Sequence, residues 1–347
     1  MQPGSPRRQL LITVGLVILL IILLFLLVDM GAVIDMLRQA NWGLLLLGVP
    51  FLLLCYLLLL IRWRYLLGNS PTLKETQHVL FSGMMLSIIT PIPNSPFRVV
   101  AISRTTDVKA TTATSSIAVE YLDSFILRLI GLTLGTVLLL GNLRGSENTL
   151  LIGAGAVILM VAALFLLVSQ RERIAPPLTR ALARVPRVGE ERAERASSAI
   201  VDFLAGTGTP KQFAVALLIS LAYWVCALVF YYLAVLGLGV ESRVPLLVVA
   251  IGALFLVPPA SPMMPGLFHS VLIAPLVTLN WLSAESATAY AVVLHAIMMV
   301  ILIVLGAWGL SRIDLNLGEL MAEIRQYVQL SEKDTESEAA QETAQEV

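Results

Sequence analysis

Apolar residues in this chain fall into long unbroken runs, not into the narrow stripes of a soluble helix. Such runs occupy 9–28, 43–61, 149–168, 212–236 and 287–310, with a sixth from Leu129 to Leu140. About 20 apolar residues are needed to cross a bilayer as a helix. The sixth run reaches that length only with the polar residues before it, so its helix should begin near Thr111. Thr111, Thr112, Thr114, Ser115 and Ser116 lie there. Small hydroxyl side chains suit close helix–helix contact. The pattern therefore predicts an all-α polytopic membrane protein with about six spanning helices.

Two further apolar pieces are too short to span, and prolines break them. The first, 79–89, ends at Thr90-Pro91-Ile92-Pro93-Asn94-Ser95-Pro96-Phe97-Arg98. The second, 246–257, meets Pro258-Pro259-Ala260-Ser261-Pro262-Met263-Met264-Pro265-Gly266 before resuming over 267–279. Proline lacks an N–H and clashes with the preceding turn, so neither stretch is continuous helix. Freed backbone groups at membrane depth must be satisfied inside protein or by a wet cavity. Both are expected to be re-entrant hairpins. Each is preceded by a span, an amphipathic stretch and a span, and followed by a span. The amphipathic stretches are 30–40, with Val33, Ile34 and Leu37, and 190–204, with Ile200, Phe203 and Leu204. The order thus occurs twice, over 9–141 and 149–310, with opposite starting sides. That is the signature of an inverted repeat, whose site lies near the midplane between the broken elements.

Composition agrees: the chain is 58% hydrophobic and 13% charged, against about a quarter charged in soluble domains. Charge then orients it. With the N-terminus inside, 19 of the 23 Lys and Arg face the cytoplasm, eight of them in a basic loop over 169–211. Only Arg38, Arg144 and Arg243 fall outside, and Arg128 lies within a span. Such asymmetry is the positive-inside rule, so both termini are expected in the cytoplasm, at the inner membrane. Arg7 and Arg8 precede the first run, but Asp29-Met30-Gly31 follows it instead of a small-residue cleavage site. An uncleaved span is expected. The membrane domain is 1–310. The acidic, apolar-poor tail over 311–347 is expected to be largely disordered. Cys55 and Cys226 lie in apolar runs and suit packing; no metal or cofactor spacing is present.

Ionisable residues in the apolar bundle carry the candidate chemistry, because each costs about 2.5–3.5 kcal/mol on insertion scales. Glu120 and Asp123 stand at i, i+3, with Arg128 deeper. Arg62, Arg98 and Arg104 are their candidate partners, either in a structural ion-pair network or in a functional one. Arg62-Trp63-Arg64-Tyr65 ends the second span. It reads as an interface anchor, or as an arginine turned inward to a phosphate or a buried carboxylate. His269 follows Pro265-Gly266, where a helix restarts and its N-terminus would favour an anion. His295 lies within the last span, and His78 is expected near the interface. No nucleotide loop, catalytic triad or hydrolytic carboxylate pair occurs, so an enzyme is not expected. Nothing points to nucleic acid.

Four features resemble the lysylphosphatidylglycerol synthase transmembrane-region family of flippase-like membrane proteins. They are Arg62-Trp63-Arg64 closing the second span, the proline break leading to Arg98 and Arg104, Glu120 with Asp123 on the next helix, and Pro265-Gly266 opening the second re-entry. Where members carry a Gly–acidic pair after the first break, this chain has Ser95-Pro96-Phe97-Arg98. The resemblance implies two re-entrant hairpins and movement of lipids across the membrane. It does not extend to aminoacyl transfer, since only a short polar segment follows the last span. The expectation is a lipid or lipid-linked substrate translocator. Arg62, Arg98, Arg104, Glu120, Asp123, Arg128 and His269 are its candidate substrate-binding residues. Membrane lipids with anionic headgroups are the expected partners, with a lipid-modifying enzyme beside them. The competing readings are an ion-coupled solute transporter and a non-transporting accessory protein.

Overall fold

A computed structural model describes residues 30–89, 94–144, 209–239 and 282–313, and isolated positions at 155, 159, 273, 276–278, 320 and 322–324; over 128–129 and 132–144 it describes the backbone alone. The expected spans 9–28 and 149–168, the basic loop up to 208, the second break at 258–266 and His269 lie outside these residues, as does most of the acidic tail. Among the described residues, all regular structure is α-helix. The helices are α1 (Met30–Gln39), α2 (Trp42–Leu66), α3 (Leu73–Ile89), α4 (Asn94–Thr105), α5 (Ala110–Arg144), α6 (Pro210–Gly237) and α7 (Ala284–Leu310). Three of them, α2, α6 and α7, are long and apolar enough to cross a membrane. The 25 residues of α2 extend for about 37 Å at 1.5 Å per residue, more than a hydrocarbon core.

Local chemistry places the helix ends close to where the hydropathy changes. Asn41 caps α2 through the Leu44 N–H at 3.3 Å. Thr209 and Gln212 form a capping box ahead of α6, with Pro210 in the first turn, where its missing N–H costs nothing. Thr72 and Glu75 exchange the equivalent bonds at the start of α3, at 2.7 and 3.2 Å. The chain leaves α2 through Gly68 (φ +76°) and Asn69 (φ +57°), the residue types that best tolerate a left-handed backbone.

The tertiary contacts set the helix directions. The backbone N–H of Asn41 donates to the Gly237 carbonyl at 2.6 Å. Gly48 lies against the Phe230 ring, the Cys55 thiol donates to the Tyr223 carbonyl at 3.6 Å, and Arg62 reaches Ser220 at 2.7 Å. Numbers rise along α2 as they fall along α6, so the two spans are antiparallel over their whole length. These are the second spans of the two expected repeats. In the same way α7 runs antiparallel to α3: Gly306 faces Phe81 and Met85, and Gly309 faces His78 and Ser82. One end of the bundle therefore collects Arg64, Lys74, Lys211 and Arg312, which the charge count had assigned to one face. The other end holds α1, whose Met36 meets Ser286 at the start of α7.

The first broken stretch becomes a pair of short helices. The 17 residues of α3 are about 25 Å long, and the 12 of α4 about 18 Å. They pack tightly because Gly83 has no side chain: a Cβ there would stand 2.6 Å from Asn94 Oδ1 and 2.9 Å from Phe97 Cδ1. Extending the α3–α7 register sets Ile89 beside the middle of α7. α3 thus ends about halfway along the bundle. On α4, every residue from Phe97 to Ile102 is buried, so this part of the helix is enclosed all round and not on one face alone.

Candidate functional site

A cluster of four charges is buried where α2, α4, α5 and α6 converge. Arg62 Nη1 donates to Asp123 Oδ2 at 3.0 Å and to Ser220 Oγ at 2.7 Å. Its Nη2 lies 3.6 Å from Glu120 Oε1. Arg98 Nη1 donates to Glu120 Oε2 at 2.8 Å. The Ser220 hydroxyl in turn donates to Asp123 Oδ2, so Asp123 is clamped from α2 and α6 together. Asp123 and Trp63 are fully buried, and Arg62, Arg98 and Glu120 nearly so.

Helix geometry explains the convergence. Ser116, Glu120 and Asp123 stand at i, i+4 and i+7 on α5 and therefore share one face. That face meets the C-terminal part of α2. Ser116 Oγ accepts from Trp63 Nε1 at 3.1 Å, Glu120 meets both arginines, and Asp123 meets Arg62 and Ser220. Trp63 also presents its ring face to the Arg98 guanidinium, 4.0 Å from the ring centroid. A desolvated cation–π contact of this kind contributes about 2 kcal/mol. Each ion costs several kcal/mol to remove from water. Mutual pairing offsets that cost here, and the two guanidiniums and two carboxylates balance in charge.

The structure thus brings together four of the residues singled out from sequence: Arg62, Arg98, Glu120 and Asp123. Of the two readings of Arg62-Trp63-Arg64-Tyr65, the inward one holds for Arg62, which meets buried carboxylates. Arg64 instead binds the Pro71 carbonyl at 2.8 Å and steadies the turn after α2. Arg104 corrects an expectation. It is not oriented by Glu120 or Asp123 but pairs with Glu323 beyond α7, with more than half its side chain exposed. Arg104 sits at the C-terminal end of α4, two turns from Arg98, so the helix carries it out of the buried zone. Arg104→Ala is accordingly expected to change thermal stability by less than about 1 kcal/mol, the usual range for a solvent-exposed pair. A melting curve in detergent checks this. Arg128 lies five residues past Asp123 on α5, where only the backbone is described. His78 packs edge-on against Trp308 with ring centroids 5.2 Å apart, and His295 is buried on α7.

Three site residues escaped the sequence reading: Ser220, Trp63 as a stacking platform, and Ser116. Ser220 did leave a signal, as the lone polar side chain among residues 213–222. Trp63 left none, because a tryptophan near a span end has the same sequence context whether it faces lipid or protein.

The family model described as the Lysylphosphatidylglycerol synthase TM region matches residues 10–306. No curated protein and no solved structure matches the chain.

Proposed function

The chain belongs to the family of the lysylphosphatidylglycerol synthase transmembrane region, and on that premise we propose that it moves a lipid, or a lipid-linked substrate, across a cytoplasmic membrane. The observation that carries this reading is the buried cluster of Arg62, Arg98, Glu120 and Asp123 inside the helix bundle. Polar groups at that depth are costly and mark substrate paths by default. A hairpin that turns back halfway places such groups where a headgroup must pass, while the acyl chains stay in the bilayer. The bundle end with Arg64, Lys74, Lys211 and Arg312 faces the cytoplasm in this reading, with both chain termini. The hairpin then enters from that side and is re-entrant. The unit that moves lipid is 1–310, an inverted repeat without enzymatic activity of its own. Its partners are membrane lipids and an enzyme that makes or modifies them.

The test is reconstitution of the purified protein with fluorescent phospholipids and a membrane-impermeant quencher. Quenching is expected to proceed past the outer-leaflet pool faster than in empty liposomes. Rates equal to those of empty liposomes, across phospholipids of several headgroups, would remove the proposal.

A further inference from the structure

We infer that the Nε/Nη2 edge of Arg98 is a binding site for one phosphate-type oxyanion. A guanidinium has five N–H donors in one plane. At Arg98 the Nη1 side is taken by Glu120 at 2.8 Å, and one face is covered by Trp63 at 4.0 Å. The stem is held at Gly83, where a Cβ would stand 3.2 Å from Arg98 Cγ. The group is therefore fixed in position and orientation. Yet Nε and Nη2, which lie along the same edge, have no hydrogen-bond partner among the described residues, although the residue is only 5% exposed. Leaving such donors unmet is expensive. Of the nearby carboxylates, Glu120 meets Nη1 of Arg98 and Nη2 of Arg62, and Asp123 meets Arg62 and Ser220 through Oδ2, leaving its Oδ1 without a hydrogen bond among the described residues.

Two parallel N–H groups on one edge match two oxygens of a phosphate, the bidentate mode that distinguishes arginine from lysine. Asn94, one turn earlier on α4, packs on the same Gly83. The four charges of the cluster already cancel. An anion at this edge is therefore held by directed hydrogen bonds and not by net charge, which suits a group that must also leave. As a headgroup subsite this rests on the translocator reading; as an oxyanion site it does not.

The experiment measures thermal unfolding of the full chain in detergent with added ligands. The probes are dihexanoylphosphatidylglycerol, dihexanoylglycerol, which lacks the phosphate, and sodium phosphate against sodium chloride at equal ionic strength. The phospholipid is expected to raise the midpoint and dihexanoylglycerol to leave it unchanged. Arg98→Gln with Glu120→Gln removes one charge of each sign, so the remaining pair stays balanced; apparent affinity should fall about ten- to a hundredfold. Arg98→Lys, which keeps the charge and loses the edge, should fall similarly. Equal stabilisation by sodium phosphate supports the site and makes its ligand a free anion. Equal stabilisation by dihexanoylglycerol, or undiminished phospholipid binding in both variants, overturns it. Phospholipid binding without any lipid movement counts against the translocator reading and leaves the oxyanion site standing.

Discussion

Arg62→Met is expected to destabilise the folded protein by about 3–5 kcal/mol, the usual result of removing one partner from a buried ion pair. The side chain itself is not the main loss. Asp123, fully buried, would keep only the Ser220 hydroxyl, and Glu120 only Arg98. An uncompensated carboxylate in an apolar bundle either stays charged at high cost or takes up a proton. The variant should melt earlier in detergent and aggregate on gel filtration. Adding Asp123→Asn should recover most of the loss, because the remaining Arg98–Glu120 pair is balanced and asparagine can still bond to Ser220. Non-additivity of that size is the mark of groups in one network. If Arg62→Met melts with the wild type, Arg62 is solvated and the cluster does not hold the bundle together.

Gly306→Val is expected to separate the hairpin from α7. A Cβ at this position would stand 2.7 Å from the Phe81 carbonyl oxygen and would collide with Met85 Cβ. Both obstacles belong to α3 at or next to its backbone, so a rotamer change cannot relieve them. Overpacking of this kind costs about 1–3 kcal/mol, and more where backbone must move. Ser82, which donates to the Gly306 carbonyl at 3.3 Å, would lose that bond as well. On the translocator proposal, lipid movement should fall even though every charge in the cluster remains, because α3, which packs on Arg98 at Gly83, is displaced. Val304→Ala, on an exposed face of the same helix, is the control, with an expected change within about 0.5 kcal/mol. Equal melting of Gly306→Val and wild type would mean that α3 and α7 are not in this contact.

Much of the fold was legible from hydropathy. The described spans begin and end within a few residues of their apolar runs: 43–61 became Trp42–Leu66, 212–236 became Pro210–Gly237, and 287–310 became Ala284–Leu310. The described helices on either side of the first proline stretch end at Ile89 and begin at Asn94. The site was half legible. Glu120 and Asp123 stood out because charge is rare in an apolar helix. Their partners were narrowed only to three candidates, Arg62, Arg98 and Arg104, of which the first two meet the carboxylates.

The sequence by itself determined which of the described segments are helical and which end of the bundle is basic. Those properties depend on near neighbours, on run length and on summed charge. Only the tertiary structure decided that Arg62 and Arg98 enter the cluster while Arg104 leaves it for Glu323. It also decided that Ser220 closes the cluster from α6. Pairing of buried charges depends on which helix faces meet. That is set by packing at small residues such as Gly48, Gly83 and Gly306, tens or hundreds of positions away along the chain.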